Sequence, residues 1–300
     1  MSDRCFGSAT AVAACVALVF LAAGPAAAQT RAGAGKAWDP PRTPDGQPDI
    51  QGFWTEEDGG ADPVNVETGL QTADSVRIQQ GLTAAQLAAR KTFSAIVDPP
   101  NGKVPYQPWA EARRQQILKR YGGDDRTEEV ESARDVSSEL LCTLGLPRIV
   151  YFADFQVTQS PGYVVMSWER TREYRLIPLD DQRPRLAANV KLHMGDSRGH
   201  WEGNTLVVDT TNLNDWGWFD SKGTIHTDAL SLSERYTFMD PNTIDYRVTA
   251  QDPKALTRPM TIAFTFKRTH AQDKDYEIME NACAEGERAF ESVVLKKQHQ

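Results

Sequence analysis

On either side of Gly203-Asn204 the chain alternates, with Arg198-Gly-His-Trp-Glu202 before it and Thr205-Leu-Val-Val-Asp-Thr210 after it. Two residues able to take positive φ between two strand-like runs predict a two-residue hairpin. Counting outward, Glu202 faces Thr205, Trp201 faces Leu206, His200 faces Val207 and Arg198 faces Asp209. Alternation at period two then puts Trp201, Leu206, Val208 and Thr210 on a core face. Arg198, His200, Glu202, Thr205, Val207 and Asp209 take the other face, a polar surface on which Arg198 and Asp209 are placed to pair.

The same alternation predicts strands over 49–54, 150–159, 163–169, 173–179, 230–238, 243–250, 260–268 and 276–279. Turn signals separate them, among them Ser160-Pro-Gly162, Asp180-Asp181 and Asp240-Pro-Asn242. Many antiparallel strands joined by short turns predict a barrel or sandwich. The Gly52-Phe-Trp54 of the first strand resembles the opening of a lipocalin-type barrel, in which the Trp closes the floor. Between this strand and residue 145 the pattern turns helical. Thr83-Ala-Ala-Gln86 is a capping box before a helix running to about 96. Pro108 starts a second helix through Trp109, Ala112, Ile117 and Tyr121, stopped by Gly122-Gly123. Residues 128–141 form a third. The expected fold is therefore mainly β, an antiparallel lipocalin-like barrel over 146–300, with a first strand and helical insertion over 49–145 and an Ala-, Gly- and Pro-rich arm over 29–48.

Residues 1–28 read as a signal peptide. Arg4 precedes the apolar run 11–23, and Ala26-Ala-Ala28 fits a cleavage site before Gln29. The run is too short for a membrane span, so a periplasmic or secreted protein without stable membrane insertion is expected. Cleavage leaves Cys142 and Cys283, and two cysteines in an oxidising compartment most simply form one disulfide. Closing so long a loop would contribute roughly 4–5 kcal/mol in the chain-entropy model. The formal charge of −8 argues against nucleic acid.

Several pieces resemble a large family of secreted soil-bacterial proteins, most without an assigned activity. They are Arg42-Thr-Pro-Asp-Gly-Gln-Pro-Asp-Ile-Gln-Gly-Phe-Trp54, Gly145-Leu-Pro-Arg148, Gln159-Ser-Pro-Gly-Tyr-Val-Val165, the hairpin, Ser233-Glu-Arg235 and Glu280-Asn-Ala-Cys-Ala-Glu-Gly286. The resemblance implies export and a mostly β fold but no reaction. It also suggests a link to lyases of lignin-derived aromatic dimers, although none of their catalytic residues matches a position here. At His193 the family pattern has an aromatic residue in many members.

Leu230, Leu232, Glu234, Tyr236 and Phe238 share one face, which puts a carboxylate in line with four apolar or aromatic side chains. Such a Glu is either an acid/base group or half of a buried ion pair with an arginine. Glu169 poses the same question, with Arg148, Arg175 and Arg235 as possible partners, and its strand does not reveal which face looks inward. His193 and His226 sit in loops flanking core strands, where sites are often mounted. Asp215 and Trp216, with Trp218 and Phe219, suit a flat aromatic or sugar ligand or a hydrophobic latch. Arg148, Tyr151, Trp168 and Tyr236 complete the candidate substrate contacts. No paired-histidine or paired-cysteine spacing supports a metal, and no P-loop, nucleophile elbow or dinucleotide fingerprint is present, so no cofactor is expected.

Two functions fit these residues. One is a cofactor-independent lyase or isomerase acting on a hydrophobic, aromatic small molecule, with Glu234, His193, His226 and Glu169 as acid/base candidates. The other is a carrier of such a molecule without turnover. A homo-oligomer is left open. Export predicts a purified periplasmic form that begins at Gln29 and holds a Cys142–Cys283 bond. Intact mass with and without reductant checks both, and two free thiols in the native protein would rule the bond out.

Overall fold

The structure is a computed structural model that describes residues 38–56, 65–67, 94–121, 146, 154–169, 171, 173–179, 184–220, 223–273 and 275–279. All belong to one compact unit, Trp38–Gln300. The expected signal peptide over 1–28, Cys142, Cys283, Arg148, Tyr151, the helix expected over 128–141 and most of the one expected over 83–96 lie outside the described residues.

Ten strands are described: β1 Gly52–Glu56, β2 Ile96–Asp98, β3 Phe155–Ser160, β4 Tyr163–Trp168, β5 Tyr174–Pro178, β6 Asp196–Glu202, β7 Thr205–Thr211, β8 Ser231–Asp240, β9 Thr243–Gln251 and β10 Met260–Thr269. They form one sheet in the order β5-β4-β3-β1-β10-β9-β8-β7-β6, with β2 added to β10. Every named pairing is antiparallel. The two ends of this order meet at a parallel bridge, Leu179 to Gly199, so the sheet curls into a nearly closed barrel of lipocalin-like character. The helix α1, Pro108–Tyr121, starts at Pro108 as the sequence predicts. Among the described residues no helix is long and apolar enough to cross a membrane.

The hairpin register is the one obtained by counting outward from Gly203-Asn204. Gly203 takes φ +61°, while Asn204 is not among the positive-φ residues, the pattern of a II′ turn, in which only the first central residue needs positive φ. Two details differ from expectation. Arg198 does not pair with Asp209. It bonds Asp196 on its own strand, and the Ser197 and Pro184 carbonyls accept from its Nη1 and Nη2 at 2.7 and 3.1 Å. The outer face is also not simply polar, because Thr205 and Val207 are buried. Glu202 accepts from Arg235 of β8 at 2.8 Å and meets His200 at 3.3 Å, so a polar tie runs from β6 to β8 across β7 above them.

Three further elements depart from the pattern. Ile96, placed at the end of a helix by its neighbours, pairs with Ile262 as β2, because a sheet edge overrides local helical preference. In α1 the buried positions are Ala110, Arg114 and Ile117, at i, i+4 and i+7, whereas Trp109 and Ala112 face outward. Residues 276–279 add no strand, and are held instead by side chains described below.

The core fills the barrel from all sides. Trp54, fully buried, donates from its indole to Ile50 O at 3.2 Å. It packs edge-on to Phe238 and lies under the Arg268 guanidinium, 4.3 Å from the ring centre. Arg268 is pinned there by the Gln51 and Pro241 carbonyls, both at 2.7 Å. This end carries the short turns. The pairings Asp196 with Thr211, Thr210 with Leu232, Ser231 with Gln251 and Ala250 with Met260 place the longer connections at the opposite end.

Gly199 makes the closure possible. A Cβ there would stand 2.8 Å from Ile177 Cγ2 and 2.9 Å from Leu179 Cδ2, so only a hydrogen lets β5 approach β6. Gly199→Ala is therefore expected to cost about 1–3 kcal/mol by overpacking. Gly203→Ala meets open space and should cost only the ~1–2 kcal/mol of left-handed backbone. Chemical denaturation compares them, and a larger loss at Gly203 would contradict this account of the seam.

Candidate functional site

The sequence singles out Glu234 as an inward acid, and it is one, with zero exposure on β8. Its partner is Arg175 of β5, which is in phase with Ile177 on the inward face. Arg175 donates from Nη1 to Glu234 Oε1 at 3.0 Å and from Nη2 to Oε2. Its Nε reaches Ser197 Oγ at 2.9 Å, and Nη2 also reaches Thr210 Oγ1 at 2.6 Å. Tyr236 and Tyr246 donate their hydroxyls to Glu234 Oε1 at 2.9 and 3.1 Å. Burial works against the charge on Arg175, but the Glu234 carboxylate outweighs it and raises the arginine's pKa. Burial, and then the negative charge of Glu234, push both tyrosines well above the ordinary phenol range, so they remain donors.

Glu169 turns out to lie on the outer side of its strand, since Val164, Met166 and Trp168 are the buried set. Its Oε1 accepts from Tyr276 at 2.9 Å and from the Met279 N–H at 3.2 Å. Tyr276 stacks on His270, with ring centres 3.4 Å apart, and His270 meets Asp154 at 2.6 Å. Burial and the bond to Glu169 push the Tyr276 hydroxyl up to about 12. The group clasps residues 275–279 to the outside of the barrel.

His226 is buried, and both ring nitrogens face backbone oxygens, Nδ1 toward Thr227 and Nε2 toward Trp216, each at 3.1 Å. Burial lowers its pKa against these contacts. It therefore positions the loop that carries Asp215 and the half-exposed Trp216. Nearby, Arg114 pairs with Glu67 at 3.1 Å, and Asp220 accepts from Val66 N–H and from the Thr224 hydroxyl and N–H. Burial raises the Glu67 pKa, but the Val104 N–H and the Arg114 charge outweigh this and hold the carboxyl below its usual range. These contacts fasten residues 65–67 to α1 and to the loop after β7.

His193 is different. Its Nε2 is a buried atom without a hydrogen-bond partner among the described residues. It lies 3.9 Å from the Glu173 carboxylate, with the two side chains 27% and 23% exposed. Glu173 precedes Arg175 by two residues, so it shares the inward face of β5. Its carbonyl still accepts from Trp168 N–H, at 3.0 Å. Trp168 is itself buried and stacked on Phe155. His193 and Glu173 thus meet at the barrel end that carries the long connections, where the Glu173 backbone is tied to Trp168.

The predicted set is therefore divided among four places: Glu234 and Tyr236 in the barrel centre, Glu169 in the outer clasp, His226 in a loop, and His193 with Trp168 at the barrel mouth. Glu173, Tyr246, Ser197 and Thr210 escaped sequence reasoning. The phase of Glu173 and Arg175 with Ile177 was the available signal. Among the described residues no three His, Cys, Asp or Glu side chains gather as a metal set. No family model, curated protein or solved structure matches the chain, so the functional reading rests on this geometry.

The central pair yields a direct expectation. Glu234→Gln leaves a buried arginine without its counter-charge, a loss of about 3–5 kcal/mol, and lowers the melting temperature by on the order of 10 °C. Joint replacement by Arg175→Met and Glu234→Leu should recover most of that loss. Thermal melts of the three proteins decide it, and a Gln variant as stable as wild type would contradict a structural role.

Proposed function

We propose that the chain handles a small hydrophobic, aromatic molecule at the barrel mouth by acid–base chemistry of the lyase or isomerase kind. The observation that supports this is His193, whose Nε2 has no hydrogen-bond partner among the described residues while a carboxylate stands 3.9 Å away. With Nε2 turned toward that carboxylate, the other ring nitrogen of this partly exposed imidazole can take a proton from a substrate carbon, and Glu173 stabilises the imidazolium that forms. The electron pair of the broken C–H bond then forms a C=C bond as a neighbouring C–O bond breaks. The imidazolium returns the proton to the leaving oxygen, so the balance needs no further reactant. Trp168 and the aromatic lining below it provide an apolar wall for a ring. Export to the periplasm, expected from the first 28 residues, places this chemistry outside the cytoplasm.

A carrier reading has its own support. Both oxygens of Glu234 and Oε1 of Glu169 are held by arginine, tyrosine and backbone partners, which supports a structural role for these carboxylates. Incubation of the mature protein with lignin-derived aromatic dimers, followed by mass, separates the two. The enzyme reading expects product from wild type, and His193→Gln that melts and binds normally but turns over at least about 100-fold more slowly. Binding without product on long incubation would leave the carrier alone, and neither binding nor product would remove both readings.

A further inference from the structure

At the barrel end that carries the long connections, the strand-like segments 105–107 and 255–257 are stitched together. Gln107 N–H donates to Ala255 O at 2.7 Å and Thr257 N–H to Pro105 O at 2.8 Å. The Thr257 hydroxyl adds a third bond, to Pro105 O at 2.9 Å, and Tyr106 and Leu256 form an antiparallel bridge. The turn that follows β9 is wound on Asp252. Its Oδ1 accepts from the Thr227 hydroxyl at 2.8 Å and from the Lys254 and Ala255 N–H groups, both at 3.1 Å. Its Oδ2 accepts from Thr227 N–H at 2.6 Å. A surface so cross-linked is organised before any ligand arrives.

Within it lies a cleft of about 370 Å³, whose lining includes Gln107, Gln251, Leu256, Thr257 and Arg258. Asp252 also borders it, but its oxygens are occupied by the turn. Gln251 is exposed. Gln107 uses only its amide N–H, toward Leu256 O at 3.4 Å, which leaves its oxygen to accept. Arg258 is held at the rim by Asp98 at 2.6 Å and retains further N–H donors. Beside the cleft stands Trp109, two residues after Gln107 and 50% exposed. An exposed indole is ordinarily free to swing, but here its N–H is fixed to Lys254 O at 2.9 Å, next to Pro253 of the cleft wall. The ring is therefore pinned in place with half its surface open to water.

A pinned aromatic ring, a small apolar floor and a rim of amide, hydroxyl and guanidinium groups match the chemistry of a sugar. The C–H face of a pyranose packs on an indole, and its hydroxyls, each both donor and acceptor, suit glutamine side chains. The size lies within the range of small-ligand clefts. A free anion is disfavoured, since the carboxylates of Asp252 and Asp98 stand beside Arg258. The geometry points to a saccharide subsite at Trp109 and Gln251, separate from the barrel mouth and independent of the function proposed there.

The test titrates the full mature chain with cellobiose, maltose, xylobiose and N,N′-diacetylchitobiose, read by calorimetry and saturation-transfer NMR. At least one is expected to bind. Trp109→Ala and Gln251→Ala should each weaken it by about tenfold or more without changing the melt, and Trp109→Phe, which keeps a ring but loses the N–H that pins it, should bind more weakly than wild type and more tightly than Trp109→Ala. His193→Gln should leave sugar binding untouched, which keeps this subsite distinguishable from the mouth. Failure of all four sugars to bind, equal binding by Trp109→Ala, or displacement of the sugar by a guaiacyl aromatic would overturn the assignment.

Discussion

The barrel depends on one side chain that crosses its own gap. Between β5 and β6 the backbone ladder is reduced to the Leu179–Gly199 bridge, and Arg175 supplies what the missing ladder would have provided. From β5 it binds Ser197 on β6, Thr210 on β7 and Glu234 on β8, so one guanidinium ties four strands. Removing two charges from water costs several kcal/mol per ion, repaid only where geometry is good and every donor is used. Here Nε, Nη1 and Nη2 all have acceptors, and the carboxylate gains two tyrosine hydroxyls besides. Such a network fixes register where backbone pairing alone would leave it loose.

That arrangement decides where chemistry can sit. Tyr236, Tyr246, Phe264 and Phe266 pack as neighbouring rings around the ion pair, and Trp54 with Arg268 closes the end of short turns. Partly exposed polar groups stand at the other end, where His193 and Glu173 meet and where the stitched segments 105–107 and 255–257 form the cleft. The helix and the residue 65–67 segment are fastened there through Arg114 and Asp220, so they shape the surroundings of the mouth rather than add a second core.

The strands and their inward faces were legible because burial imposes alternation. Leu232, Glu234, Tyr236 and Phe238 point inward as the sequence pattern required, and the hairpin register follows from the turn alone. What alternation cannot say is which strands are neighbours. The sequence therefore left Glu234 as either an acid/base group or half of an ion pair with an unspecified arginine, and only closure of the barrel selects Arg175. The roles of Glu169 and His226 were hidden for the same reason. Their partners are Tyr276, in a stretch whose pattern suggests a strand that does not form, and the carbonyl of Trp216, in a loop. Ile96 shows the opposite limit, a short strand among helix-forming neighbours that exists only because β10 offers an edge.

The strand order has a consequence for how the chain comes into being. β1 lies between β3 and β10, and Arg268 grips the Gln51 carbonyl across 217 residues of sequence. While the chain is being made, Trp54 waits for a neighbour that is synthesised far later in the chain. The hairpins from β6 to β9 can assemble early from adjacent segments, but the cylinder stays open, and long-range pairings of this kind are slow to form. A newly made molecule therefore spends its youth as an unclosed ribbon. Such a ribbon presents unpaired strand edges, and it is vulnerable to sticking to its siblings until it curls shut.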